Sequence, residues 1–125
     1  MNIAFDIDDT LWKIRRFSPN CDENCKKGEY CLIHKPKMDQ VPDYDLIQLV
    51  RWFFNNGDSV YFWSAGGTDY CSQIVKKLGV DEYGKVINKS KFALQSIGEA
   101  MHICFDDENV DLAEINIRVK RSFYV

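Results

Sequence analysis

Residues 2–7, Asn-Ile-Ala-Phe-Asp-Ile, form a short and mostly apolar run that leads straight into acids: Asp6, then Asp8 and Asp9. A run this short, without polar alternation, is the pattern of a strand buried on both faces, as strands are in parallel sheets. The rest of the chain agrees with it. Leu46, Ile47, Leu49, Val50, Phe53 and Phe54 recur at three- and four-residue spacings, with Asp43 placed to cap a helix and Gly57 to stop it. Val60 to Trp63 then read as a strand, which breaks at Ser64-Ala65-Gly66-Gly67. Thr68 or Asp69 can cap a helix through Cys71, Ile74, Val75 and Leu78, closed by Gly79. Lys85 to Asn88 predict a short strand, and Ser90 caps a helix near Lys91 to Met101. His102 to Phe105 make another apolar strand that ends in Asp106-Asp107-Glu108. A short helix near Val110 to Ile115 and a strand near Arg118 to Val125 complete the series. Strand and helix alternate throughout, which predicts an α/β fold: a parallel sheet with helices on both faces.

The chain has 125 residues, enough for a single domain over 1–125 with a sizeable core and too few for two. No apolar run approaches the ~20 residues of a membrane span. The start lacks the basic residues and cleavage site of a secretory signal, so the expected location is cytoplasmic. Five cysteines are then an odd number for a reducing compartment, where disulfides explain them poorly.

Residues 13–42 break the α/β pattern, being polar, basic and without periodicity. They form an insert directly after the first strand, and a structureless loop of that length needs internal fixing or a function. Cys21, Cys25, Cys31 and His34 give C-x3-C-x5-C-x2-H within fourteen residues. Three thiolates and one imidazole are the ligand set of a closed, tetrahedral structural Zn²⁺ site, which would supply the folding energy this polar stretch lacks. Chance clustering, a disulfide or another metal are the alternatives. Cys71 and Cys104 lie on apolar elements and pack as small hydrophobes. Net charge is −3, but residues 13–37 hold seven basic side chains against three acids. A basic insert on an acidic body can steer a phosphorylated ligand, although the overall acidity disfavours non-specific nucleic-acid binding.

In open α/β sheets ligands bind beyond the carboxyl ends of the strands. Three such ends carry the unusual residues: Asp6, Asp8, Asp9 and Thr10; Ser64 with two glycines; and Asp106 with Asp107. Two carboxylate sets at one rim repel unless a cation lies between them, and an all-oxygen site favours Mg²⁺. One carboxylate can attack phosphorus while a second protonates the leaving oxygen and later deprotonates water. Ser64, with the amides of Ala65 and Gly66 near a helix start, is suited to holding phosphate oxygens.

Phe5-Asp6-Ile7-Asp8-Asp9-Thr10-Leu11 resembles the first motif of the haloacid dehalogenase superfamily, Asp-x-Asp-x-Thr. Ser64 after Val60 to Trp63 resembles its second motif, Lys91 or Lys89 its third, and Asp106-Asp107 its fourth. The resemblance covers the chain apart from the insert. It implies a Rossmann-like core, Mg²⁺ dependence and an aspartyl-phosphate intermediate on Asp6. It makes Asp8 the general acid/base, which also offers Mg²⁺ a backbone carbonyl. Asp106 becomes a direct metal ligand, and Asp107 one that acts directly or through water. Lys91, at an expected helix start, is the first choice of active-site lysine and Lys89 the alternative; Lys85 reads as a surface charge. Asp8 is similar to the phosphatase and phosphomutase branches, and a chain this short has no room for the large cap a mutase needs. The nearest likeness is to small, nearly capless magnesium-dependent phosphatases, from which Ala65-Gly66 departs where a basic residue is common.

The expected activity is phosphomonoester hydrolysis, with the 13–42 insert as a zinc-fixed flap or miniature cap. Arg15 and Arg16, and after them Lys13, Lys26 and Lys27, are the candidate substrate contacts. Trp12 and Phe17 could stack on a base or pack beneath the insert. The expected partner is a phosphorylated small molecule or nucleic-acid end. The alternative is a non-enzymatic module on the same fold that recognises a partner through its zinc insert.

Overall fold

The computed structural model describes residues 1–16, 40–120 and 122–124, with only the backbone described at 14–16 and 122–124. Five strands build the main sheet: β1 (Asn2–Asp6), β4 (Ser59–Trp63), β5 (Lys85–Val86), β6 (Ile103–Asp106) and β7 (Ile115–Arg118). Their order is β5-β4-β1-β6-β7, and every neighbouring pair is parallel. The other strands, β2 (Trp12–Arg16), β3 (Gln40–Pro42) and β8 (Ser122–Tyr124), make a small mixed sheet in the order β3-β2-β8. The expected α/β architecture is therefore present. β1 is buried along its whole length, as its apolar run requires.

Two helices are described, α1 (Tyr44–Asn55) and α2 (Thr68–Leu78). Helix α1 starts where the sequence places a cap: Asp43 Oδ1 accepts the amides of Asp45 and Leu46. The other oxygen of Asp43 lies 2.6 Å from the ammonium of Lys13, which is itself buried. Lys13 is thus a structural tie between β2 and α1 rather than a substrate contact. Trp12 also turns inward, joining the core with Lys77 above its ring at 5.0 Å, so it packs rather than offering a stacking surface. At α2 the N-cap is Gly67, at φ 96°, and neither Thr68 nor Asp69 caps with a side chain.

Both described helices cover one face. Ile3, Phe5, Val60, Phe62 and Phe105 pack there against Ile47, Val50 and Phe53 of α1 and Cys71 and Val75 of α2. Phe5 stacks on Phe105 with centroids 4.7 Å apart, and Phe53 leans on both rings. Such pairs add about 0.5–1.5 kcal/mol each beyond their buried area. On the other face Ala4, Trp63 and Cys104 lie beneath Leu94 and Met101, and the covering segments are turns.

Among the described residues, two of the helices that the sequence predicts do not form. Residues 91–101 hold only a short 3₁₀ turn, Gln95–Ile97, closed by Gly98 at φ 72°. Leu94 and Met101 reach the core, whereas Phe92 and Ile97 are exposed, so no continuous apolar stripe supports a longer helix. The expected helix near 110–115 is replaced by bends. Asn116 accepts the amides of Leu112 and Ala113 and donates to the Ala113 carbonyl, which holds those residues in a turn. The expected last strand is two: β7 in the main sheet and β8 beside β2. No helix among the described residues is long and apolar enough to cross a membrane.

Candidate active site

From β1 the chain builds outward through β4 and β5, then returns to the opposite side of β1 with β6 and β7. That reversal opens a crevice at the carboxyl ends of β1 and β6, where open α/β sheets bind ligands. Asp6 is the last residue of β1 and Asp106 the last of β6. Strand register, more than side-chain flexibility, brings these acids together.

Asp6, Asp106 and Asp107 are all buried, and each offers an oxygen within 4.8 Å of the others. Lys89 Nζ donates to Asp6 Oδ1 at 3.0 Å. It also lies 2.7 Å from Asp106 Oδ2, a Coulombic contact whose angles fall short of a well-aligned hydrogen bond. Thr10 donates to the second oxygen of Asp6 at 3.3 Å, and the Glu108 amide to Asp106 Oδ1 at 3.0 Å. One ammonium faces three buried carboxylates. Burial, then the Asp106 charge, push the Asp6 carboxyl up to about 7; Lys89 opposes this and Asp107 adds to it. Burial alone would lower the Lys89 pKa, but Asp106 and Asp6 more than offset it and raise it. A divalent cation among these oxygens would remove the imbalance, and a hard all-oxygen set suits Mg²⁺.

Past β1 the chain curls sharply. The amides of Thr10 and Trp12 both donate to the Ile7 carbonyl, and Asp9 adopts φ 60°. The curl lets both Asp6 and Asp8 face one small cavity of about 220 Å³, which Ser64, Ala65, Lys89 and Asp107 also line. Tyr70, in the first turn of α2, donates its hydroxyl to Asp8 Oδ1 at 2.5 Å. Burial and this hydrogen bond raise the Tyr70 pKa. Ser64 Oγ accepts the Gly66 amide at 3.0 Å, leaving its own hydrogen to be donated elsewhere.

Of the sequence candidates, Asp6, Asp8, Ser64, Ala65, Lys89, Asp106 and Asp107 converge here. Lys91 does not: it makes an exposed pair with Asp111 at 3.2 Å, at a larger groove of about 460 Å³ between residues 90–101 and 111–114. The preference for Lys91 rested on a helix start at that position, and without the helix Lys89 at the strand exit is the lysine in reach. Gly66 is also corrected, because its amide is turned onto Ser64 and not into the cavity. Arg15 and Arg16 lie on β2, whose side chains at these positions are outside the description. Cys21, Cys25, Cys31, His34, Phe17, Lys26 and Lys27 lie outside the described residues. Cys71 and Cys104 are core residues, with thiols pushed up to about 12 and about 11 by burial. Tyr70 escaped the sequence reading; its signal is its place in the first turn of a helix that follows a serine-glycine turn.

No protein-family model, curated protein or solved structure matches this chain.

Proposed function

We propose that this chain is a Mg²⁺-dependent phosphomonoester hydrolase of the haloacid dehalogenase type, working through an aspartyl-phosphate on Asp6. The observation that carries the reading is the meeting of Asp6, Asp106 and Asp107 around Lys89 at the sheet's switch point. The motif resemblance assigns roles to the same residues.

Asp6, Asp106 and Asp107 would hold the metal, which when bound neutralises phosphoryl oxygens and the crowded carboxylates. An ionised oxygen of Asp6 forms the bond to phosphorus as the bond to the leaving oxygen breaks. Protonated Asp8 supplies the hydrogen that the leaving oxygen needs. Ionised Asp8 then takes a proton from water as that water attacks phosphorus, and the Asp6–phosphate bond breaks. Lys89 holds Asp6 in place and contributes positive charge, and the Ser64 hydroxyl donates to a phosphoryl oxygen.

A cavity of about 220 Å³ is smaller than the ~300–1,000 Å³ pockets that enclose whole ligands. It suits a phosphoryl group whose leaving group stays outside, as at a nucleotide or nucleic-acid terminus. The 13–42 insert, with Zn²⁺ on Cys21, Cys25, Cys31 and His34, is the part of the proposal that would cover that leaving group. A panel of phosphoesters assayed for phosphate release tests the reading. Release that needs Mg²⁺ and vanishes in Asp6→Asn supports it. Mg²⁺ binding without release from any ester favours the binding-module alternative.

A further inference from the structure

The two edges of the main sheet are unlike. One is β5, only Lys85 and Val86, short and charged as protected edges are. The other is β7, Ile115–Arg118, exposed along its length and without proline or lysine. Ile115 is 55% exposed and Ile117 39% exposed, both on the face that carries Ile103 and Phe105.

The hydrogen-bond phase of β7 is fixed by its neighbour. The amides of Ile115 and Val119 donate to the carbonyls of His102 and Asp106, so the odd-numbered residues point their backbone groups at β6. Backbone polarity alternates along a strand, so the amides and carbonyls of Asn116 and Arg118 face outward. Two outward residues separated by one inward residue make a self-complementary edge.

We infer that β7 is a self-pairing edge, through which two copies of this chain join antiparallel about a dyad at Ile117. In that register Asn116 exchanges two hydrogen bonds with the partner's Arg118, and Arg118 two with the partner's Asn116. Ile117 meets the partner's Ile117 as a non-hydrogen-bonded pair, the arrangement in which side chains approach most closely. Ile115 falls opposite the partner's Val119. A second copy satisfies the apolar and hydrogen-bonding positions together, because each residue's counterpart is already present in the same strand. The contact is isologous and closes at two chains, extending the sheet from five strands to ten. It stands independently of the role assigned to Asp6.

Sedimentation equilibrium across a concentration series, with Ile117→Lys and two cysteine variants, tests the pairing. Wild type should reach twice the mass of one chain. Ile117→Lys, which sets two ammonium groups at the dyad on an exposed position, should stay at one chain with an unchanged far-ultraviolet spectrum. Cysteines at the dyad would have Cα atoms ~4.5 Å apart, within disulfide range. Oxidised Ile117→Cys should therefore give a covalent dimer linked through position 117, identified by peptide mass. Ile115→Cys should not link to itself, since its copy lies four residues along, roughly 13 Å away. Wild type that stays at one chain's mass overturns the proposal and leaves the edge to another protein's strand. A dimer that survives Ile117→Lys, or equal linking of both cysteines, also overturns it.

Discussion

Tyr70 reaches across from the first turn of α2 and donates its hydroxyl to Asp8, 2.5 Å away. The tyrosine is itself hemmed in: a Cβ on Gly66 would come within 2.9 Å of its ring. Asp8 is thus held by a side chain with little room to move, which suits the proton-donating role proposed for it. Removing the hydroxyl should matter most where proton donation limits the rate. Tyr70→Phe should lower kcat/KM for an alkyl phosphate by roughly tenfold, less than the ~10²–10⁴-fold that a general acid contributes, because Asp8 itself remains. It should change kcat/KM much less for an aryl phosphate whose leaving group needs no proton. Equal losses on both esters would mean that Tyr70 supports the fold of the site and not the proton donor.

Lys89 and Lys91 are two residues apart but separate cleanly. Lys89 sits between Asp6 and Asp106, whereas Lys91 and Asp111 form a pair at the solvent boundary. Lys89→Met should cost ~10²-fold or more in kcat, the scale of losing one charge-stabilising group. Lys91→Met should remain within about twofold, since exposed pairs contribute ~0–1 kcal/mol. Steady-state kinetics on one ester decide it, and a loss confined to Lys91→Met would reassign the lysine.

The Asp6 carboxyl, pushed up from 3.8 to about 7, binds its proton more tightly in the folded chain than in the unfolded one. Its contribution to stability is complete below about pH 4 and is lost as the pH rises through about 7. Without metal, Asp6→Asn should therefore be more stable than wild type at pH 8, by an amount that shrinks toward pH 4. The slope is on the order of 1.4 kcal/mol per pH unit inside that window. Mg²⁺ should raise the melting temperature of wild type, more strongly at pH 8 than at pH 5, and should do so far less for Asp6→Asn. Thermal melts in chelator and in Mg²⁺ check both signs; a constant gap between the two proteins would contradict them.

The Cys₃His spacing predicts close to one equivalent of zinc in purified protein. Cys25→Ser should reduce it severalfold, since a structural site needs all four ligands. Elemental analysis with a thiol count measures this directly, and less than half an equivalent alongside free thiols would remove the zinc module.

Much of this site is legible in the sequence because strand ends fix where a residue goes. Asp6, Ser64 and Asp106 each end or follow an apolar run, and parallel pairing carries all three to one rim. Asp43 reads as a cap for the same local reason. The misreadings fall where tertiary contacts decide. Residues 91–101 have a capping serine and apolar side chains, yet Phe92 and Ile97 stay largely exposed, so no apolar stripe holds a helix there and Lys89 displaces Lys91. Lys13 reads as a candidate substrate contact until Asp43 is seen beside it. Tyr70 has no motif, because its role comes from the spacing between α2 and the curl after β1.

The central claim is that phosphate passes through Asp6, and a rapid acid quench tests it most directly. Protein mixed with Mg²⁺ and an active phosphoester, quenched within one turnover and digested, should carry one added phosphoryl group on the peptide containing Asp6. The modification should be labile to hydroxylamine, as an acyl phosphate is, absent without Mg²⁺ and absent in Asp6→Asn. Phosphate released at full rate with no such adduct, or an adduct on another residue, would contradict the account.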